Sequence, residues 1–147
     1  MTITLREITR ENWLQCARLK VLPGQEHFVA SNGVSMAQSK YEPEHIPLAV
    51  YDDEEMVGFV MYGTDPTDGK VWIARVMVDA RQQRKGYGRA AMQVLLDRIR
   101  AIPGCDAVFI SYEAENEVAR RLYASLGFRE TGEINEEETV ARLLLSR

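Results

Sequence analysis

The sequence predicts an α/β (α+β) fold with a mixed central sheet, and three observations carry that prediction. Two apolar runs joined by the acidic turn Asp52-Asp53-Glu54-Glu55, and a third beyond Asp65-Pro66-Thr67-Asp68-Gly69, read as an antiparallel meander in the N-terminal half. The third run leads through a basic, glycine-containing stretch into residues 88–100, where Met92, Leu95, Leu96 and Ile99 recur at helical spacing. A short apolar run at 107–112 follows that helix, so a parallel crossover between it and the strand at 71–78 is expected.

The elements follow in order along the chain. Residues 2–8 alternate, with Ile3 and Leu5 pointing one way, and read as an opening strand. Thr9 is placed to cap a helix over about 10–20 that carries Trp13, Cys16 and Ala17 on one face, and Pro23-Gly24 ends it. Residues 28–30 and 35–41 suggest two short helical pieces around Asn32-Gly33. The meander strands are expected at 48–51, 56–63 and 71–78. After the helix at 88–100, Pro103-Gly104 provides a stop. A further helix over 117–126 turns Val118, Ala119, Leu122, Tyr123 and Leu126 inward and is closed by Gly127. A strand pair, 128–133 and 139–145, around the acidic loop 134–138 completes the chain.

Composition narrows the classes. At 147 residues, 46% hydrophobic and 27% charged, the chain fits one soluble domain spanning 1–147. It holds no apolar run of membrane-spanning length, and Met1-Thr2-Ile3-Thr4-Leu5-Arg6 lacks the layout of a signal peptide, so no membrane partner and a cytoplasmic location are expected. Cys16 and Cys105 lie far apart with no CxxC or Cys/His spacing; both read as buried small hydrophobes, and no metal site is indicated. A formal net charge of -4 argues against a nucleic-acid partner, which makes a local basic cluster more informative.

That cluster is Gln83-Arg84-Lys85-Gly86-Tyr87-Gly88-Arg89. A helix N-terminus behind a glycine loop offers backbone N–H groups and the positive end of the helix dipole, which suits phosphate. A nucleotide triphosphate loop would need Gly-Lys-Ser/Thr, and Gly88-Arg89-Ala90 does not supply it. A dinucleotide fingerprint fits superficially at Gly86, Gly88 and Ala91, with Asp106 as the ribose acid. The long interval from Val78 to Gly86 is wrong for the tight turn that fold requires, and Asp106 precedes its strand rather than ending it.

Gln83-x-x-Gly86-x-Gly88 directly after an apolar strand resembles the acetyl-CoA pyrophosphate loop of the GNAT N-acetyltransferases. The segment from Tyr112 to Phe128, with Asn116, Ala119, Leu122-Tyr123 and Leu126-Gly127-Phe128, resembles the second signature of that family, and the element order matches over nearly the whole chain. The resemblance implies a GNAT fold with splayed central strands and flanking helices, acetyl-CoA as co-substrate, and acetyl transfer to a primary amine. Met77, Val78, Gln83, Arg84, Lys85, Gly86, Tyr87, Gly88, Arg89 and Asn116 would contact the cofactor, the pantetheine arm lying in the gap between the splayed strands. Tyr123 would be the general acid for the departing thiolate, and a backbone N–H near Met77-Val78 would meet the oxyanion. Glu113, or a water relayed to it, is the candidate base. Each has a plainer reading: Tyr123 as a core aromatic, Asn116 as a helix cap.

The spacing Gln25-x-x-Phe28-Val29-Ala30-x-Asn32-x-x-Ser35, with Tyr112 and Asn116, resembles the bacterial branch that acetylates spermine, spermidine and related diamines. Glu26, Glu42 and Tyr112 are the expected substrate residues, and Glu44, Asp52, Asp53 and Glu55 are further carboxylates available to a polycation. Two alternatives stand beside this small-molecule amine: the same chemistry on a peptide N-terminus, amino acid or aminoglycoside, and a non-catalytic acyl-CoA sensor. The sequence is silent on oligomeric state; a homodimer is open to it, since members of the family it resembles commonly pair.

Overall fold

The computed structural model describes residues 1–145. Its elements are β1 (Ile3–Glu7), α1 (Trp13–Arg18), α2 (Asn32–Tyr41), β2 (His45–Asp52), β3 (Glu55–Thr64), β4 (Val71–Val78), a 3-10 turn at Ala80–Gln82, α3 (Tyr87–Arg100), β5 (Ala107–Tyr112), α4 (Glu117–Ser125), β6 (Arg129–Asn135) and β7 (Glu138–Leu144). One seven-stranded sheet runs β1-β2-β3-β4-β5-β7-β6. Every neighbouring pair is antiparallel except β4 and β5, which are parallel as the intervening helix demands. No helix among the described residues is long and apolar enough to cross a membrane.

Each face of the sheet has its own core. Leu48, Val50, Val60 and Ile73 pack under α3 with Met92, Leu95, Leu96 and Ile99, and continue through Val108, Ile110 and Tyr112 to Tyr123 and Phe128. Cys16, Leu19, Ala49, Phe59, Met61 and Met77 form the opposite core, under the α1–α2 region. This division is the strand alternation made visible: Val60 and Phe59, adjacent in sequence, feed opposite faces. Burial pushes the Cys16 thiol up to about 12, so it stays a neutral thiol and packs as a small hydrophobe, and Cys105 is also buried.

The first helix differs most from expectation. Thr9 and Asn12 bond one another's segment instead of capping a long helix: the Thr9 N–H donates to Asn12 Oδ1 at 2.7 Å, and Thr9 Oγ1 accepts from Glu11 N–H at 3.2 Å. These turns spend residues 9–12, leaving Trp13 at the first helical position and 49% exposed, not in the core. Residues 28–30 are turn and loop, and Asn32-Gly33 opens α2 because Ser31 caps it, accepting from Val34 N–H at 3.1 Å. Val118, expected inward, is 75% exposed on α4, while Leu126 is the C-cap of that helix.

Asp79 locks the end of β4 to the α1–α2 connection. Its buried carboxylate accepts from Lys20 N–H (3.0 Å), Arg81 N–H (3.3 Å) and Arg81 Nε (3.0 Å), and the Ala80 N–H donates to the Lys20 carbonyl (2.7 Å). Burial alone would raise its pKa, but those donors outweigh it and hold the carboxyl below its ordinary value. Because the folded value is depressed, the stabilisation is present above the unfolded-state carboxylate range and is lost as pH falls through the folded one. Asp79→Ala is expected to cost about 2 kcal/mol at pH 7, by orphaning the Lys20 N–H. Denaturant titrations should show the gap between variant and parent closing below about pH 4.

Candidate active site

β4 and β5 pair only at Val71–Ile73 with Val108–Ile110. Beyond Ile73 the strands part. β5 remains bonded to β7 as far as Tyr112, and β4 remains bonded to β3 as far as Val78, so the gap opens between two otherwise intact half-sheets. Register decides which backbone groups face it. The Asp79 N–H donates to the Val57 carbonyl at 2.9 Å, and alternation along β4 therefore turns Met77 towards β3, and Val76 and Val78 towards the gap. The Val78 carbonyl is already taken by Gln83 Nε2 at 3.1 Å, which leaves the Val78 N–H and both backbone groups of Val76 at the gap's edge. Val76, which sequence reading passed over, thus has the orientation expected of Met77; the Met77 side chain instead packs into the core beside Asn32.

The gap continues into a cleft of about 590 Å³. Its walls bring together Met77, Val78, Gln83, Arg84, Gly86, Tyr87, Gly88, Tyr112, Asn116 and Tyr123, drawn from four separate stretches of sequence, with Glu26 on the far side. Four expected residues do not line it. Lys85 reaches Gln82 Oε1 (3.1 Å) and Arg89 binds Ser125 Oγ on α4. Glu42 bonds Gln38 (3.3 Å) and lies 3.5 Å from His45 Nε2, and Glu113 lies 4.0 Å from Nε2 of His27, which does line the cleft.

The loop between β4 and α3 is built for an anion. Arg84 and Gly86 are both left-handed (φ 65° and 87°), which turns successive N–H groups to one side. Gly86 is the N-cap, and its carbonyl takes the first bond of α3 from the Ala90 N–H (3.1 Å), so the N–H groups of the first turn, Tyr87 to Arg89, precede the intrahelical ladder. A side chain at Gly88 would point inward at Leu122 and Val78, so its glycine does not widen the ligand side. Gln83 is a brace: Nε2 donates to Gln25 Oε1 (2.9 Å) as well as to Val78, holding the loop against the opposite wall. Tyr87 bonds Asp52 (2.6 Å), a hydrogen bond that raises the phenol to about 12 and fixes the start of α3 to β2. Donors, cation and gap suit a pyrophosphate followed by a narrow, amide-bearing arm.

Behind the gap, Tyr123 is 8% exposed and its hydroxyl has no hydrogen-bond partner among the described residues. Burial, with smaller contributions from Tyr112 and Glu138, pushes this phenol well above its ordinary value. The ring is held by Tyr112 and Phe128 at centroid distances of 5.6 and 6.0 Å. Tyr112 spends its own hydroxyl on Glu130 (2.9 Å), and burial together with that bond raises it to about 12. Asn116 caps α4, Oδ1 accepting from Ala119 N–H at 3.2 Å, and also lines the cleft, so both of its sequence readings coexist.

The acceptor end carries groups that sequence reading did not place. Arg75 lines it, with Nε on Ser35 Oγ (3.2 Å), Nη2 on Gln38 Oε1 (3.0 Å) and Nη1 on the Ala74 carbonyl (2.8 Å). Burial lowers its pKa, opposed by Glu138, Glu136 and Glu42. Ser35 and Asn32 therefore brace the wall: Asn32 Nδ2 donates to the Cys16 carbonyl at 2.9 Å. Of the six carboxylates expected for a polycation only Glu26 lines the cleft, and Glu136 and Glu138 from the β6–β7 turn join it. Asp52 is occupied by Tyr87 and the Thr2 N–H, and Glu55 by Gln82. That Glu136 and Glu138 share the cleft side follows only from where the turn falls, with Asn135 paired to Glu138.

Comparisons with known proteins agree with this geometry. A family model described as Acetyltransferase (GNAT) family matches residues 5–128. The spermine/spermidine N(1)-acetyltransferase of Bacillus subtilis is 29% identical over 141 residues, covering 92% of this chain and 93% of the relative. Among solved structures, spermidine N-acetyltransferase from Vibrio cholerae, in complex with CoA and spermine, superposes with a TM-score of 0.76 at 19% identity over 97% of this chain and 95% of that one. The ribosomal-protein-S18-alanine N-acetyltransferase of Escherichia coli gives 0.72 at 20% identity, over 99% and 96%. With a family model spanning most of the chain and a sheet that parts at the expected place, this chain belongs to the GNAT family of acetyltransferases and is an N-acetyltransferase that uses acetyl-CoA.

Proposed function

We propose that the acceptor is a polyamine, acetylated on a primary amine by direct attack on the thioester. The observation that carries this reading is the sign of the acceptor end: Glu26, Glu136 and Glu138 line it, and the one arginine there has donors on Ser35, Gln38 and the Ala74 carbonyl. A polycation is drawn to such a wall and held by it. The name of the Bacillus relative, a spermine/spermidine acetyltransferase, supports the same class.

In the proposed mechanism the loop at 84–89 holds the pyrophosphate by backbone N–H groups and Arg84, and the pantetheine arm bonds Val76 in the gap as an added edge. The Val78 N–H is the donor for the carbonyl oxygen as it gains charge. The amine nitrogen attacks the carbonyl carbon and the C–S bond breaks. Tyr123 gives its proton to the departing sulfur, and the ammonium proton returns through water to the phenolate. Because burial raises its pKa, the Tyr123 phenol holds its proton until the step.

The test is thiol release from acetyl-CoA with spermine, spermidine, putrescine, alanine-ended peptides, amino acids and aminoglycosides. The highest kcat/KM is expected with spermine or spermidine. A best rate with a peptide or amino acid would overturn the polyamine reading and would give Arg75 the part of binding a carboxylate or carbonyl beside the amine.

A further inference from the structure

Beyond Ile110, β5 has parted from β4 and is bonded on one side only, to β7 as far as Tyr112. The end of β5 that carries Tyr112 therefore depends on side chains for further support. Tyr112 reaches over β7 to find it: its hydroxyl donates to Glu130 Oε2 (2.9 Å) on β6, the strand beyond. Glu130 pairs with Ala141 and Ala141 with Ile110, so Glu130 and Tyr112 stand on one face of the sheet and their bond ties β5 to β6 across β7. Burial and this bond raise the Tyr112 phenol to about 12, so it keeps its proton and goes on donating to Glu130 through neutral pH.

The same carboxylate oxygen meets α4. Arg120 Nε lies 3.4 Å from Glu130 Oε2, and that nitrogen is buried without an aligned hydrogen-bond acceptor, so Glu130 is the charge that offsets it from the sheet side. Arg120 and Tyr123 are three residues apart and share a face of α4. Tyr123 in turn lies between the rings of Tyr112 and Phe128, and Phe128 stands two residues before Glu130 in the chain. Glu130 therefore joins the two supports of the Tyr123 ring, the end of β5 and the inner face of α4, although it does not itself line the cleft. With its side chain 48% exposed, an ion pair here gives the fold little stability. What it fixes is geometry.

We propose that Glu130 is a positioning residue for acetyl transfer: by holding Tyr112 and Arg120 on one carboxylate, it sets where α4 presents the Tyr123 hydroxyl to the gap. The inference rests on Tyr123 being the acid and goes beyond that reading by naming what aims it; it does not depend on which amine is accepted. A proton passes only between atoms at hydrogen-bond distance, so a small shift of α4 costs rate. The pyrophosphate loop and the β4 edge lie on the other side of the gap and are not moved by it.

The experiment measures kcat and the KM for acetyl-CoA with saturating spermidine, or with the best amine of the screen above where that is another. The enzymes are the parent, Glu130→Ala, Glu130→Gln, Tyr123→Phe, and Glu130→Ala combined with Tyr123→Phe, each assayed well below its own Tm. Glu130→Ala is expected to lower kcat roughly 10- to 100-fold, the scale of a misplaced reacting group, with the KM for acetyl-CoA within about threefold. Glu130→Gln should rescue kcat to within about threefold of the parent, because its amide oxygen still accepts from Tyr112. In the Tyr123→Phe background, Glu130→Ala should change kcat by less than about twofold, since no hydroxyl is left to aim. Parent kcat in Glu130→Ala would overturn the proposal. So would an equal loss in both backgrounds, which would make Glu130 a general support, or a Gln variant as slow as the Ala variant, which would trace the effect to charge. Undiminished kcat in Tyr123→Phe alone would overturn the acid reading itself, and that single variant tells the two failures apart.

Discussion

Tyr123→Phe should lower kcat for acetyl transfer by about 10²- to 10³-fold while leaving acetyl-CoA affinity and the fold intact. The two halves of this expectation come from one observation. The Tyr123 side chain is largely buried, and its hydroxyl opens on the cleft with no protein partner among the described residues, so removing it breaks no hydrogen bond. Tm is therefore expected to hold, even as the reaction loses its proton donor. The ring contacts to Tyr112 and Phe128 survive in phenylalanine, which keeps the cleft wall in place. The pH profile provides a further check. Because the phenol is raised above its ordinary value, the protonated, donating form persists beyond about pH 10, and the parent's rate should climb with amine deprotonation without a falling limb below that. Tyr123→Phe with undiminished kcat would remove the acid role and leave the family and co-substrate untouched.

What the sequence disclosed and what it withheld divide along a physical line. The bounds of β4 and β5 are those expected, because each is a short apolar run between strong breaks, and the parallel pairing follows from the helix between them. The glycine loop was legible because its chemistry is local: a strand end, cations and a helix start are contiguous. Thr9 and Asn12 misled because a capping residue and a turn residue are the same residue types, and only the tertiary path selects between them. The acceptor end was the least legible. Glu42 and Asp52 are acidic and nearby in sequence pattern, yet each is already bonded within the protein, whereas Glu136 and Glu138 enter the cleft from the far end of the chain. Val76 and Met77 show the same limit at atomic scale. One residue of register exchanges which amide faces the gap, and register is set by the Val57–Asp79 pairing across strands.

That dependence makes Gly58 the most sensitive position outside the cleft. It pairs with Val78 on one side and Val50 on the other, so it sits beneath the very residue whose N–H faces the gap. A Cβ at Gly58 would overlap the Met77 carbonyl oxygen and crowd Val78 Cα, both backbone atoms, which no rotamer change can relieve. Gly58→Ala must therefore push the end of β4 away from β3. A stability loss of about 2–3 kcal/mol is expected from the overpacking. Displacement of the Val78 N–H by a fraction of an ångström to an ångström should also lower kcat by roughly 10- to 100-fold at temperatures where the variant is fully folded. The control is Ile99→Val, fully buried on the inner face of α3 at the end of the helix away from the glycine loop, which should cost about 1 kcal/mol and leave kcat alone. If Gly58→Ala behaved as that control does, losing stability without losing rate, the Val78 N–H would not be the oxyanion donor, and the search for it would move to the Val76 side of the gap.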